Sequence, residues 1–506
     1  MDESRTSERF LCRADRMESF CGESDLACLA ERVPQEGERP IALIDDRKAD
    51  GSNESGICRD PKGPLTPQQL HQELCRPRYT IGNTSSMARE DMAADAEPGL
   101  VDAERRLIYI TDLEPATVLA LFDTASYSQA YFLRDFIYNH LVLKPLLGVS
   151  VPIGPRRFAL EFHLPYFAWR KREVRITDKR KTPGGKEFRR SQDLRFLDMT
   201  PSGTSSPPHN DYLYEAQMSC LVAGTGDPSW VAYGVFDTYH NIGHEESVMF
   251  YCEQASTYQV PMDPLSRGKL VADCPIWDPR SYFLRVLESR VEQVKDEWTN
   301  VVDKLQLKTC PYIQDHQVLN LYLSPDTENR GERLKIFYEW TGRTTRLLME
   351  LIDVLSKTIH AWNHFEGGDI EYFLDKSYPT HQHSPSYLKA IMNHFEDMKI
   401  ALSTLQYQEK LESYLQLDNH DSTQVQLRTN DNVKTLTIVA LVATIFSMPD
   451  SVLPGEPSML GWAITTAAVA VHFQDHVSGP GLGGEDDQAF LLAYSLRSAN
   501  GKQTTV

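Results

Sequence analysis

From Leu284 through Leu287, Val291, Val294, Trp298 and Val301 to Leu305, the large apolar residues step by 3, 4, 3, 4, 3 and 4. Such a heptad seam is about 30 Å long at 1.5 Å per residue, and it commits the segment to one long helix with a partner layer along one side. A second seam runs through Leu348, Ile352, Leu355, Ile359 and Trp362. A third runs through Leu388, Ile391, Phe395, Met398, Leu402 and Leu405 and breaks register before Leu411 and Leu415. Stretches rich in Pro, Gly and polar residues, near 308–332 and 367–386, separate the three. Residues 276–432 therefore read as a long-helix bundle or stalk.

The pattern upstream is different. Leu107-Ile108-Tyr109-Ile110 reads as a strand. After the turn-forming Asp112 and Pro115, Val118, Leu119 and Phe122, then Leu133, Phe136, Ile137 and Leu141, recur at helical spacing and give two helices. Phe158, Leu160, Phe162 and Leu164 alternate with other residues, as in a strand ending at Pro165. Met218–Val222 and Trp230–Phe236 are two more strands around the turn-rich 224–228. A mixed α/β domain over 105–275 follows. The first hundred residues hold only 3 of the 49 aromatic residues and a net charge of −7, so 1–104 is expected to be a disordered acidic region.

Near the end, Thr435 to Pro449 carries no charge, and neither does Pro457 to Gln474. Asp450 and Glu456 bracket the turn between them, and 475–506 reads as a flexible acidic tail. A membrane-spanning helix needs about 20 apolar residues, and these stretches have 15 and 18. Length alone leaves two short transmembrane segments and a buried apolar hairpin over 433–474 both open. The fold class expected is α+β: a mixed α/β domain, a helical stalk, then the hairpin.

The whole chain has 506 residues and a formal charge of −19. A polyanion repels phosphate backbones, so no nucleic acid is expected as partner. Nine cysteines, odd in number and without a C-x-x-C pair, argue against a disulfide framework or a structural zinc site and for a reducing compartment. The start, Met1-Asp2-Glu3-Ser4-Arg5, has no apolar core of a secretory signal. No G-x-S-x-G elbow, P-loop or G-x-G-x-x-G occurs, so no catalytic residue and no cofactor are expected and the chain is not read as an enzyme.

The succession of α/β domain, long heptad helices and two closely spaced apolar segments resembles the CorA-like divalent-cation transporters. More closely, it looks like the divergent CorA-like proteins of filamentous fungi. The likeness rests on Arg106 to Leu113 (RLIYITDL), Phe158 to Phe167 (FALEFHLPYF), Pro275 to Arg280 (PIWDPR), Leu355 to Ile359 with Trp362-Asn363, and Val433 to Pro449. The resemblance implies a homo-oligomer of five subunits in a membrane, with a cytoplasmic N-terminal body and magnesium or another divalent cation as the transported ion. It also implies a Gly-Met-Asn selectivity triplet at the end of the first span. Here that place reads Ser447-Met448-Pro449, and proline removes a backbone donor there. Pore candidates are accordingly Thr437, Thr444, Ser447 and Met448. Arg428 and Lys434 before the first run, against Asp450 and Glu456 after it, fit a cytosolic body. The alternative is a soluble or peripheral, cytoplasmic helical interaction protein that kept the architecture without the pore.

One further segment stands out. Arg170 to Arg190 holds ten basic residues against three acidic ones in an acidic chain. Arg170, Lys171, Arg172, Lys179, Arg180 and Lys181 form a candidate patch for anionic membrane lipids or an acidic partner, set against the plainer reading of a solvated loop. His360 and His364 have the spacing of a helical metal pair but lack the following Glu, and read as surface histidines. His209-Asn210-Asp211 with His240 or His244 has the elements of an iron-binding triad, but it adjoins Pro207-Pro208 in a turn.

Overall fold

In the central strand, Leu107 and Tyr109 pack into one hydrophobic core while Ile108 and Ile110 pack into another. Successive side chains of a strand point to opposite faces, so this alternation requires apolar cover on both sides of the sheet. A computed structural model describes residues 15–22, 24, 29, 39–79, 102–314, 330–374 and 384–410, apart from 51–52, 60, 153–156, 183, 199–209, 226–228, 242 and 244. The strands are β1 (Ala42–Asp50), β2 (Asn53–Cys58), β3 (Lys62–Leu65), β4 (Arg105–Thr111), β5 (Leu146–Ser150), β6 (Phe158–Arg172), β7 (Ser191–Asp193), β8 (Asn210–Gly224) and β9 (Trp230–Phe236). They form a nine-stranded sheet in the order β2-β1-β4-β9-β8-β6-β5, with β3 on β1 and β7 on β8. Only β4 and β9 are described as a parallel pair; the remaining pairings are antiparallel.

One face is covered by α1 (Pro67–Cys75), α2 (Pro115–Thr124) and α3 (Tyr127–Leu141), through Leu70, Val118, Leu121, Leu133, Phe136 and Ile137. Thr66 and Ser126 cap α1 and α3 in capping boxes, each with a Gln three residues on. A shorter helix, α4 (Val248–Tyr258), precedes the long ones and contributes Val248 and Tyr251 to the other core. That core is closed by α5 (Pro279–Gln314), α6 (Arg330–His364) and α7 (384–410). Leu284, Leu287, Val291, Val294, Trp298, Val301 and Leu305 are all fully buried. Phe283 and Trp298 meet the rings of Phe162 and Phe167 on β6, and Trp362 of α6 stacks on Phe395 of α7 at 4.5 Å between centroids.

The mixed α/β part and the helical part after it are both present, and the structure refines or changes the expectations in three places. First, the long helices share one continuous core with the sheet, so they form the second cover of a three-layer α/β arrangement.

The second is the region expected to be disordered. Residues 42–75 supply three strands and a helix, with β1 paired to β4 from Ala42–Ile110 to Arg47–Arg105. A segment with few aromatics orders here because a ready sheet edge receives it. Ile41, Ala42 and Leu70 are fully buried, and Asp46 accepts two hydrogen bonds from Arg106 at 2.8 and 2.7 Å.

The third concerns β6, which does not stop at Pro165 but continues to Arg172. Gln217 faces Pro165 across the β6–β8 ladder, yet its N–H and C=O are turned to Asp237 on the other side. The pair is therefore not hydrogen-bonded, and the Pro165 nitrogen points to the side where β5 has already ended opposite His163. The missing N–H breaks no ladder bond.

No helix among the described residues is long and apolar enough to cross a membrane. The apolar hairpin expected over 433–474 lies outside the described residues, as does the tail over 475–506.

Candidate functional site

The ends of the parallel pair carry a concentration of buried charge. Asp112 directly follows β4 and Asp237 directly follows β9. Asp112 takes the left-handed conformation at φ 51°, which Asp tolerates better than most residues. There its carboxylate accepts from the backbone N–H groups of Thr238 and Tyr239 at 2.7 and 3.0 Å and from Arg39 at 2.8 Å. Asp237 accepts from Arg189 Nε at 2.7 Å and from Gln217 N at 2.9 Å. Arg180 approaches its other oxygen to 2.9 Å as a charge contact without hydrogen-bond alignment. Asp178 in turn grips Arg180 through its Nε and Nη2. Burial alone would raise the Asp237 pKa, but Arg189 and Arg180 outweigh it and hold the carboxyl well below its usual range. Arg189 also donates to the carbonyls of His140 and Leu141, the last turn of α3, where a cation suits the helix dipole.

Beside this cluster, Ser219 Oγ lies 2.9 Å from His140 Nδ1 and 2.8 Å from His163 Nδ1, with Gln217 Nε2 at 3.2 Å. Serine, histidine and the nearby Asp237 have the composition of a nucleophilic triad. Ser219, His140 and His163 are nevertheless fully buried, with Ser219 in the middle of β8, so no substrate reaches the hydroxyl. Burial pushes the pKa of both histidines down and leaves their rings neutral. His240, among the rings of Tyr166, Tyr214 and Tyr239, is pushed down to about 3, by burial first and then by Arg170. The arrangement is a polar lock between strands.

This lock corrects the reading of the basic segment. Arg180 and Arg189 are inside the fold against Asp178 and Asp237. Arg170 makes two bonds to Glu297 of α5 at 2.8 and 2.5 Å, and Arg172 donates to the carbonyls of His240 and Asn241. Of the six proposed patch residues only Lys171, Lys179 and Lys181 stay exposed. Lys181 lines an open groove of about 770 Å³ with Arg175, Lys186 and Arg190, which Glu187 and Glu215 partly neutralise. Half of the apparent patch is thus structural, and the partners that reveal this lie up to 127 residues away in sequence.

Among the described residues no group of three or more metal-ligating side chains is gathered. Asp211 is occupied by Trp169 Nε1 at 2.9 Å and by Lys308 at 3.2 Å, so the iron-triad reading has no carboxylate to offer. His360 and His364 are exposed on α6, as surface histidines should be. The pore candidates Thr437, Thr444, Ser447 and Met448 lie outside the described residues.

No family model and no curated protein matches the sequence. Solved structures give distant likenesses. The full-length CmaX protein is 11% identical at a TM-score of 0.38, covering 88% of this chain and 98% of that one. The CorA magnesium transporter from Methanocaldococcus jannaschii is 11% identical at 0.34, covering 87% and 98%. The ZntB cytoplasmic domain from Vibrio parahaemolyticus RIMD 2210633 is 9% identical at 0.28, covering 64% and 91%. At such identities and TM-scores these likenesses assign no activity to the chain.

Proposed function

We propose that this is a CorA-like membrane protein that passes a divalent cation, magnesium first among the candidates, through a homo-oligomeric pore, five subunits being the number implied by the family. The observation that supports the reading is the order of parts. A sheet domain is covered on one face by helices of 36 and 35 residues and by α7; the uncharged stretch from Thr435 begins about 25 residues after Lys410, and the one from Pro457 follows it. In this reading the body is cytoplasmic, and Thr437, Thr444, Ser447 and Met448 line or end the conduction path. The long helices leave Leu307, Met349, Ile400 and Tyr407 exposed, apolar side chains that a neighbouring subunit would cover. Lys171, Lys179 and Lys181 would face anionic head groups.

A second reading has one observation in its favour. Ser447-Met448-Pro449 lacks the amide side chain of the family triplet, so the chain could keep the architecture as a non-conducting interaction protein. Uptake separates the two. In cells deficient in magnesium uptake, the full chain should restore growth at limiting magnesium, and Met448→Ala should reduce it. No restoration by a chain shown to reside in the membrane would favour the non-conducting reading.

A further inference from the structure

At the opposite end of the sheet from the charge lock, a cavity of about 460 Å³ opens between α1, the start of α3 and strands β4, β8 and β9. Its size falls within the range of small-molecule sites. Among the described residues that line it, four are arginines, Arg76, Arg78, Arg106 and Arg157, and none is Asp or Glu. In a chain of net charge −19 that composition is notable, but the count of charges matters less than their balance. Arg76 is paired with Glu73, and Arg106 shares Asp46 with Arg59. Arg78 is different. Its hydrogen bonds go to the backbone carbonyls of Ala103, Glu104 and Trp230, which fix the guanidinium without neutralising it. Arg157 has no ion pair or hydrogen bond among the described residues. The burial of Arg78 disfavours its charge and lowers its pKa; no carboxylate is paired with it, and the field of Asp46, which is bonded to Arg106, offsets only a small part of that cost.

The rest of the wall is of two kinds. Thr225, Ser229 and the Gln129 amide nitrogen offer neutral hydrogen-bonding groups, Gln129 in the first turn of the 15-residue helix α3, where its Oε1 already pairs with Ser126 in the capping box. Leu74, Ile108, Leu121, Phe132 and Val231 offer an apolar surface. A bare inorganic anion would use the first kind and leave the second wet. The Arg157 guanidinium can meet phosphate oxygens in a planar, bidentate way, Arg78 keeps its Nη1 group to donate, and two positive charges without a paired carboxylate suit a dianion.

We propose that this cavity binds a small organic phosphate, its phosphoryl group held by Arg78 and Arg157 and its organic body laid against Phe132 and Leu74. Binding here is independent of whether the chain conducts an ion, since the cavity lies wholly within the sheet domain.

The test is calorimetric titration of the full chain, without divalent cations, with AMP, glucose 6-phosphate and inorganic phosphate. At least one of the two organic phosphates should saturate at one per chain, bind more tightly than inorganic phosphate and weaken with added salt. Arg157→Gln, which removes no described contact, should weaken that binding at least tenfold with an unchanged melting temperature. Lys179→Gln, at an exposed site outside the cavity, should leave it unaltered. The proposal is overturned if neither organic phosphate saturates by millimolar concentration, if inorganic phosphate binds as tightly as both, or if Arg157→Gln binds as the parent does.

Discussion

Replacing Asp237 by Asn tests the charge lock directly. The side chain is fully buried, and its two oxygens take Arg189 at 2.7 Å, the Gln217 N–H at 2.9 Å and the Arg180 charge at 2.9 Å. Asn keeps the shape and one acceptor but turns an amide N–H₂ toward a guanidinium. Arg180 and Arg189 then keep only Asp178 close by, since Asp112 is engaged with Arg39 and the Thr238 and Tyr239 N–H groups. Removing one partner from a buried ion pair costs about 3–5 kcal/mol, because the other charge stays in a low-dielectric site. At roughly 2 °C per kcal/mol for a large domain, the melting temperature should fall by about 5–10 °C. Denaturant titration should show the same loss through the midpoint at an unchanged slope. Adding Arg189→Met to Asp237→Asn should recover part of it, since the uncompensated cation is then gone. A loss below about 1 kcal/mol for Asp237→Asn, or strictly additive costs in the double variant, would refute the lock.

Acid should destabilise the fold early. His140, His163 and His240 are held neutral, with pKa values below the ordinary 6.5, so the unfolded chain binds more protons as the pH falls past that value. The stability from their burial is fully present above about pH 6.5 and is lost as the pH falls toward the folded values, with a slope of up to ~4 kcal/mol per pH unit for three protons. His240→Gln should flatten that slope by about a third in pH-dependent denaturation. Trp298→Ala should cost about 3–5 kcal/mol by opening the seam of α5 against Phe167, and an effect under 1 kcal/mol would mean that the helix layer is not packed on the sheet. Changing Lys171, Lys179 and Lys181 together to Ala should leave stability within about 0.5 kcal/mol yet reduce cosedimentation with anionic vesicles; equal cosedimentation would remove the lipid role.

What could be read from the chain follows from how local each signal is. Seven heptad positions between Leu284 and Leu305 carry their partner layer in their own spacing, and all seven are buried. The alternation at Phe158, Leu160, Phe162 and Leu164 is equally self-contained. Residues 42–75 were hidden because their order depends on β4, some sixty residues later, and a composition average over a hundred residues dilutes a short apolar stretch. Pro165 misleads because only the register with Gln217 shows that its missing donor faces an open edge. The arginines look like surface charge until Asp237 and Glu297 are brought to them, 48 and 127 positions away. The cavity arginines Arg78, Arg106 and Arg157 are likewise assembled only by the sheet.

The central claim is that the uncharged stretches from Thr435 and Pro457 place this chain in a membrane. Alkaline carbonate extraction of membranes from cells making the full chain measures that most directly. The account predicts that the protein stays in the membrane pellet and that a chain ending at Lys410 is released. Recovery of the full chain in the carbonate supernatant would contradict it.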